Sequence, residues 1–208
     1  MRAAFALAAL ALLAAAPAPP AGVVRVRIVT SDGPIVIAVD GAHAPRTAAN
    51  FLLYVDDGRF DGTTFYRAAK SRGPTSGGFI EGGIGTDPRR TLPPVPLERT
   101  SRTRLRHVAG AVTMARFDQP DSATGNFSIL VGPSPSMDAH GKRLGYAVFG
   151  RVVTGMDVVK RILAEPAGGG SGAMKGQLLA RPVRILRAQR LDGQPHPSGR
   201  PKPWTLGL

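Results

Sequence analysis

Short runs of alternating apolar and polar residues recur along the chain and predict a protein built mainly of β-strands. Residues 23–30 alternate and are β-branched, and a turn at residues 31–34 leads into a second run at 35–39, so these two runs form a hairpin. Further strand-like runs lie at residues 63–68, 78–83, 107–115, 126–131, 145–153 and 178–190. About eight short strands suit a closed barrel whose interior is filled by side chains.

Two other segments have helical spacing. One begins at Pro45 and places Ala48, Phe51 and Val55 on one face, and the other covers residues 155–164. Residues 87–106 are rich in Pro and Arg and have no period, which predicts a long surface connection. The pattern therefore indicates a mainly β domain capped by two helices.

The first twenty residues differ from the rest of the chain. Arg2 precedes an unbroken apolar run, residues 3–16, that ends in small residues and prolines. This pattern is typical of a signal peptide, here residues 1–20, cleaved after Ala16 or Ala18. An uncleaved anchor or a buried helix is the alternative, although the run is shorter than the roughly 18 apolar residues of a membrane span. We expect an exported protein, periplasmic or else secreted, with a domain over residues 21–191 and an irregular Pro-rich tail over 192–208.

Composition excludes several kinds of site. There is no cysteine, which rules out disulfides, thiolate nucleophiles and thiolate metal ligands. His43, His107, His140 and His196 are scattered without metal-ligand spacing, so we predict no metal site and expect these residues on the surface or in loops. The formal charge of +13 is spread along the chain without interleaved aromatic residues. We interpret it as a solvated basic surface rather than a nucleic-acid site, with attraction to anionic lipid or another polyanion as the alternative.

Three blocks of sequence carry a resemblance. The first is FDGTTFYR at residues 60–67 with IEGG at 80–83; the second is AGAVTMAR at 109–116 with DSATGNF at 121–127; the third is Met137-Asp138 with GYAVFGRVVTGMDVV at 145–159. In this order they resemble the cyclophilin family of peptidyl-prolyl cis-trans isomerases, and especially its exported bacterial members. The resemblance implies a closed eight-stranded antiparallel barrel, a helix over each end and a substrate groove on the outside of the barrel.

The implied reaction is rotation about an Xaa-Pro amide, which has a barrier of about 18–20 kcal/mol. No bond breaks, so neither a nucleophile, a metal nor a cofactor is needed, and we predict no cofactor. An enzyme has only to bind the twisted amide better than the planar forms. The resemblance places the family's catalytic arginine at Arg67, whose guanidinium would donate to the prolyl nitrogen.

The resemblance also implies a set of residues that bind the substrate. They are Tyr66, Phe79, Glu81, Met114, Ala115, Asn126, Phe127, Ser128, Met137 and Tyr146. For Phe127 the alternative is a position in the core. Four departures from the family pattern matter: Tyr66 replaces a histidine, Glu81 and Asn126 each replace a glutamine, and Ser128 replaces a phenylalanine that forms the floor of the proline pocket. A carboxylate cannot donate a hydrogen bond, but Glu81 could pair with Arg67. The lost ring removes about 1–3 kcal/mol of apolar contact, and our hypothesis is that the Phe79 ring compensates for it.

The sequence thus predicts an isomerase that acts on Xaa-Pro bonds in unfolded or extended segments of exported proteins. The partners would be proline-containing segments of client proteins, with no nucleic acid and no stable membrane insertion, and the protein would be a monomer. The departures at Glu81, Asn126 and Ser128 motivate an alternative, a catalytically weak module that binds peptides or holds unfolded chains.

Overall fold

The computed structural model describes residues 20–71 and 77–205, so the predicted signal peptide lies outside the described residues. Within the described residues, nine strands and three α-helices follow one another. The strands are β1 (Val23–Thr30), β2 (Gly33–Asp40), β3 (Thr64–Lys70), β4 (Gly78–Gly83), β5 (Ala111–Met114), β6 (Asn126–Leu130), β7 (Ala147–Thr154), β8 (Ala167–Gly168) and β9 (Leu178–Arg190). The helices are α1 (Pro45–Asp56), α2 (Thr100–Thr103) and α3 (Met156–Ala164).

All strand pairs are antiparallel, in the order β1-β2-β7-β5-β6-β4-β3-β9, and β1 also pairs with β9. This last pairing closes the sheet into a barrel of eight strands, and the two-residue β8 adds only to the start of β9. The predicted closed eight-stranded antiparallel barrel is therefore confirmed. Alternate residues of each strand fill the interior, as with Val26 and Ile28 in β1 and Ile35 and Ile37 in β2, all 0% exposed.

Helices α1 and α3 each bury an apolar face on the barrel. In α1, the Phe51 ring lies 5.0–5.3 Å from the rings of Phe60, Phe127 and Phe149. In α3, the buried residues are Val158, Val159, Ile162 and Leu163. Within the described residues, no helix is both long enough and apolar enough to cross a bilayer.

The connection over residues 87–106 is more ordered than its sequence predicts. It contains the single-turn helix α2, whose Thr100 is buried and accepts a hydrogen bond of 2.8 Å from the backbone N–H of Ala139. Upstream, the Glu98 carboxylate accepts from the backbone N–H groups of Arg46 and Thr47, at 3.1 and 2.7 Å. Because these are unpaired donors of the first turn of α1, Glu98 both caps that helix and fixes the connection to it.

The described part of the C-terminal tail packs against the domain. Its one regular element is a 3₁₀ turn at Pro203–Thr205. The Trp204 ring lies 4.7 Å from the guanidinium carbon of Arg59 and 5.1 Å from that of Arg90. Ser198 donates its backbone N–H to the buried Asp57 carboxylate at 2.8 Å, and its hydroxyl bonds the second oxygen. The tail is thus irregular in backbone but held by side chains of the domain.

Candidate active site

A β-bulge at Tyr66 sets the position of the candidate catalytic arginine. In the β3–β4 ladder Phe65 is opposite Gly82 and Arg67 is opposite Glu81, which leaves Tyr66 without a partner. Phe65 and Ala68 both face the core, at 0% and 2% exposure. The extra residue therefore allows two consecutive side chains, Tyr66 and Arg67, to lie on the outside of the barrel.

Glu81 accepts hydrogen bonds from both of these side chains. The Tyr66 hydroxyl donates to Oε1 at 2.9 Å, and Arg67 Nη1 donates to Oε2 at 2.8 Å. The side chains of Arg67 and Glu81 are only 13% and 7% exposed. Burial, together with the charge and hydrogen bond of Glu81, raises the pKa of Tyr66 well above its ordinary value of 10.0. Tyr66 therefore stays protonated and remains a donor to Glu81.

Two further groups hold the Arg67 guanidinium. Nε donates to the side-chain oxygen of Gln177 at 2.9 Å, and Nη2 donates to the carbonyl of Ala173 at 3.0 Å. The ring of Phe79 lies 5.0 Å from the guanidinium carbon. A guanidinium has five N–H groups, so one remains on Nη1 and one on Nη2 to serve a substrate. Neither Gln177 nor Ala173 is predicted by the sequence, since both come from the connection that precedes β9.

Arg67 begins a row of side chains that crosses the outside of the barrel. Arg67 pairs with Glu81, Glu81 with Ser128, and Ser128 with Thr113. The row therefore runs over β3, β4, β6 and β5. Next to it, Arg67 and Phe79 line an open cleft of about 190 Å³ that Gln177 also borders.

Two predicted substrate-binding residues lie in the interior instead. Met114 and Phe127 are 2% and 0% exposed and belong to the barrel core. The Phe127 ring is 5.3–5.7 Å from those of Phe51, Phe60 and Phe65. Because side chains alternate along a strand, Ser128 faces outward while Phe127 faces inward. The structure therefore places Met114 and Phe127 in the core, where both residues support the strands that carry the exterior row.

Asn126 is largely engaged by the protein itself. Its amide donates to the carbonyl of Gly85 and accepts from the backbone N–H of Gly85, both at 2.8 Å. These bonds hold the turn after β4, so the Asn126 side chain orders the end of β4. The backbone carbonyl of Asn126 accepts from the N–H of Ala115 at 2.9 Å, which places these two residues side by side.

Met137 and Tyr146 lie together in a segment outside the strands. The backbone N–H of Tyr146 donates to the carbonyl of Met137 at 3.1 Å. Gly145, the residue before Tyr146, has a φ of +67°, and a Cβ at this position would lie 2.6 Å from the Met137 carbonyl oxygen. Only glycine permits this approach. Arg116 covers the other side, with its guanidinium carbon 4.9 Å from the Tyr146 ring and two nitrogens donating to the Gly145 carbonyl.

The arrangement can bind and polarise an amide without covalent chemistry. Arg67 offers fixed, positively charged donors, and Phe79 offers an apolar surface beside them. Met137 and Tyr146 form a second element, joined by a backbone hydrogen bond. In the described part of the chain, no group of three or more His, Asp or Glu side chains could hold a metal ion.

Comparisons with known proteins agree with this geometry. The family model described as cyclophilin type peptidyl-prolyl cis-trans isomerase/CLD matches residues 25–190. The chain is 38% identical over 141 residues to peptidyl-prolyl cis-trans isomerase A of Dickeya dadantii, covering 66% of this chain and 70% of the relative. It is 37% identical over 150 residues to peptidyl-prolyl cis-trans isomerase cyp18 of Streptomyces antibioticus, covering 71% and 87%. A crystal structure of a Cryptosporidium parvum cyclophilin superposes with a TM-score of 0.64 at 19% identity, covering 83% of this chain and 99% of that one, which supports the fold.

Proposed function

The chain belongs to the cyclophilin-type peptidyl-prolyl cis-trans isomerases, which act on proline-containing peptides, and we propose that Arg67 carries the catalysis. In the planar amide the prolyl nitrogen lone pair is delocalised into the carbonyl, and it becomes localised as the bond twists. A hydrogen bond to that lone pair is thus strongest in the transition state, which is the condition for acceleration. The free N–H groups of Arg67 can supply such a bond.

One observation carries this proposal: Arg67 is held on the outside of the barrel by three hydrogen bonds and still has two N–H groups available. A donor that is already fixed needs little reorganisation when the amide twists, which is why preorganised donors are effective. The glutamate that replaces the family's glutamine supports the position of Arg67, although it also compensates its charge.

The test is isomerisation of a short Xaa-Pro peptide by the wild type, Arg67→Ala and Arg67→Lys. We expect Arg67→Ala to lower kcat/KM by about 10²-fold, the usual effect of removing one donor to a transition state. Arg67→Lys should recover part of this loss, since it restores the charge but not the planar fork. Arg161→Ala is the control, because Arg161 is an exposed arginine paired with Asp157 on α3. Equal acceleration by the wild type and Arg67→Ala would refute the role of Arg67.

The proline ring would contact Phe79 and Met137. Ser128, next to Glu81 in the exterior row, has no ring to offer, whereas Phe79 lies beside the guanidinium. Phe79→Ala should raise KM, and Phe79→Met, which restores the family's residue, should return it toward the wild-type value. A KM that is unchanged in Phe79→Ala would remove Phe79 from the pocket.

A second function deserves a test because Glu81 compensates the charge of Arg67 within a shielded pair. The protein would then bind proline-containing segments and hold unfolded chains with little turnover. Calorimetric binding of an Xaa-Pro peptide, together with suppression of aggregation of a denatured protein, would support this function if the wild type gave no rate acceleration. Strong acceleration would exclude it.

The clients in this proposal are unfolded segments of exported proteins, and the protein itself is exported and monomeric. The support for export is the apolar run at residues 3–16 and the small residues that follow. N-terminal sequencing of the mature protein from cell fractions should find cleavage after Ala16 or Ala18 and should place it in the periplasm or the medium. Light scattering coupled to size exclusion should give the mass of one chain.

A further inference from the structure

His107 lies in the connection before β5, as expected for a loop residue, but its side chain is buried. The residue is 1% exposed, and each of its polar groups has a partner. Nδ1 lies 2.7 Å from Asp138 Oδ1, and Nε2 lies 3.0 Å from the hydroxyl oxygen of Thr113. Its backbone N–H donates to Asp138 Oδ1 at 3.2 Å, and its carbonyl accepts from the N–H of Ser134 at 2.8 Å.

The carboxylate of Asp138, the imidazole of His107 and the hydroxyl of Thr113 are arranged like the groups that activate a nucleophile in some enzymes. The Thr113 hydroxyl cannot act as a nucleophile here. Thr113 is 1% exposed, and its hydroxyl also lies 3.0 Å from the carbonyl oxygen of Ala147. A substrate carbonyl has no access to an oxygen enclosed in this way. The array therefore acts by holding segments together.

The segments that it joins are the exterior row that begins at Arg67 and the turn that carries Met137. Thr113 lies at the end of the exterior row that Arg67 begins. Ser134 and Asp138 flank the turn that carries Met137. His107 thus ties both ends of the Met137 turn to the exterior row, with one side-chain and two backbone connections on that turn and a side-chain connection on β5.

We propose that His107 and Asp138 are positioning residues of the isomerase, which set Met137, and through its carbonyl Tyr146, relative to Arg67. This inference rests on the proposed function, since Met137 and Tyr146 matter only if the groove binds substrate. A loosened Met137 turn would move one wall of the pocket, and a misplacement of about 1 Å can lower a rate by up to about 10²-fold.

The experiment breaks each link of the array and measures kcat and KM separately for an Xaa-Pro peptide. Asp138→Asn weakens the link to the turn, and Thr113→Val removes the link to β5 at nearly constant volume. Thr113→Ser keeps the hydroxyl and is the rescue variant. Asp192→Asn weakens a surface pair with Arg25 on β1, a strand that pairs with none of β4, β5 and β6, and serves as a stability control.

At a temperature where every variant is folded, we expect Asp138→Asn and Thr113→Val to lower kcat/KM by about 10- to 100-fold, mostly through KM. Thr113→Ser and Asp192→Asn should stay within about twofold of the wild type, since both leave the array intact. Wild-type kinetics in both Asp138→Asn and Thr113→Val would overturn the inference. So would an equal loss in Asp192→Asn, because the effect would then follow stability alone.

Methyl NMR of the methionines separates this inference from the proposed function. In Asp138→Asn and Thr113→Val, the Met137 resonance should shift or broaden while that of Met156 on α3 does not. If the wild type proves inactive, the proposed function fails, and an unshifted Met137 resonance would refute the positioning role independently.

Discussion

Arg67 and Glu81 face each other across β3 and β4, with Nη1 and Oε2 2.8 Å apart. Both side chains are shielded from solvent, so the carboxylate opposes much of the field that the guanidinium can direct at a bound amide. The same carboxylate fixes the guanidinium and receives the Tyr66 hydroxyl. Glu81 therefore favours catalysis by positioning Arg67 and opposes it by compensating the charge of Arg67.

Replacing Glu81 with Gln should raise kcat/KM, by up to about tenfold, or about 1.4 kcal/mol of transition-state stabilisation. Gln keeps an oxygen that can accept from Arg67 but removes the opposing charge. Peptide isomerisation kinetics measure the effect, and Glu81→Ala, which also removes the positioning bond, is the control. In Glu81→Gln the pKa of Tyr66 should fall, because burial remains but the negative charge does not. A lower kcat/KM in Glu81→Gln would show that positioning by the full carboxylate outweighs its charge.

Gln177→Ala removes the acceptor for Arg67 Nε and should lower kcat/KM by about three- to tenfold, in line with about 1 kcal/mol for one lost hydrogen bond. The loss should lie in kcat, because the guanidinium keeps its charge but becomes less ordered. Gln189→Ala, a change of the same residue type at the far end of β9, is the matched control. If the two variants behave alike, Gln177 has no special part in orienting Arg67.

Acid should destabilise the fold through His107. Burial lowers the pKa of His107 below its ordinary value of 6.5, although the hydrogen bond and charge of Asp138 act in the opposite direction. Two other charged groups lie at this site: Arg106, whose Nη1 is 3.8 Å from Asp138 Oδ2, and Arg143, whose Nε donates to the Asp138 carbonyl at 3.1 Å. The unfolded chain therefore binds a proton near pH 6.5 that the folded chain does not, so the free energy of unfolding decreases as pH falls below 6.5 and levels off once the folded state is protonated.

Thermal unfolding between about pH 7 and pH 5 measures this dependence, and His107→Gln should flatten it. Carboxylates whose pKa is lowered in the fold, such as that of Asp157 beside Arg161, change the free energy of unfolding only at lower pH, below 3.8. A slope that persists in His107→Gln over the upper range would mean that another group is responsible.

The C-terminal tail should contribute measurably to stability. Ser198→Ala deprives the buried Asp57 carboxylate of one hydrogen bond, which should cost about 1–2 kcal/mol. Burial disfavours the charge of Asp57, but bonds from Ser198 and Arg59 outweigh it and keep its pKa below 3.8. Chemical denaturation measures the loss, with the exposed Ser101→Ala on α2 as the control. Equal stability of the two variants would contradict a stabilising tail.

Trp204→Ala tests the other end of the tail. The indole lies over Arg59 and Arg90, and two cation–π contacts of about 0.5–1 kcal/mol each are lost with it. We expect a decrease of about 1–2 kcal/mol in the free energy of unfolding without a change in kcat/KM. A loss of activity with preserved stability would instead connect the tail to the groove.

The barrel could be predicted from the sequence because apolar and polar residues alternate locally along its strands, as in residues 23–30. Arg67 could be placed by its neighbours in the chain, since the residues around it resemble those of a known family. Phe127 could not be assigned to the interior with certainty, because the side that a residue faces depends on strand register, and a shift of one residue reverses it. His107 and Gln177 were missed because their partners are distant in sequence and no local pattern marks them.

The pairing of β1 with β9 has a consequence for how the chain folds. Val26 is opposite Arg190, so the first strand of the barrel gains its second neighbour only when the last strand has been synthesised. Contacts between such distant segments form slowly because a long loop must close first. Until then β1 and β3 each expose an unpaired edge, which makes the unfinished barrel a target for aggregation. The barrel can therefore close only after β9 has been synthesised.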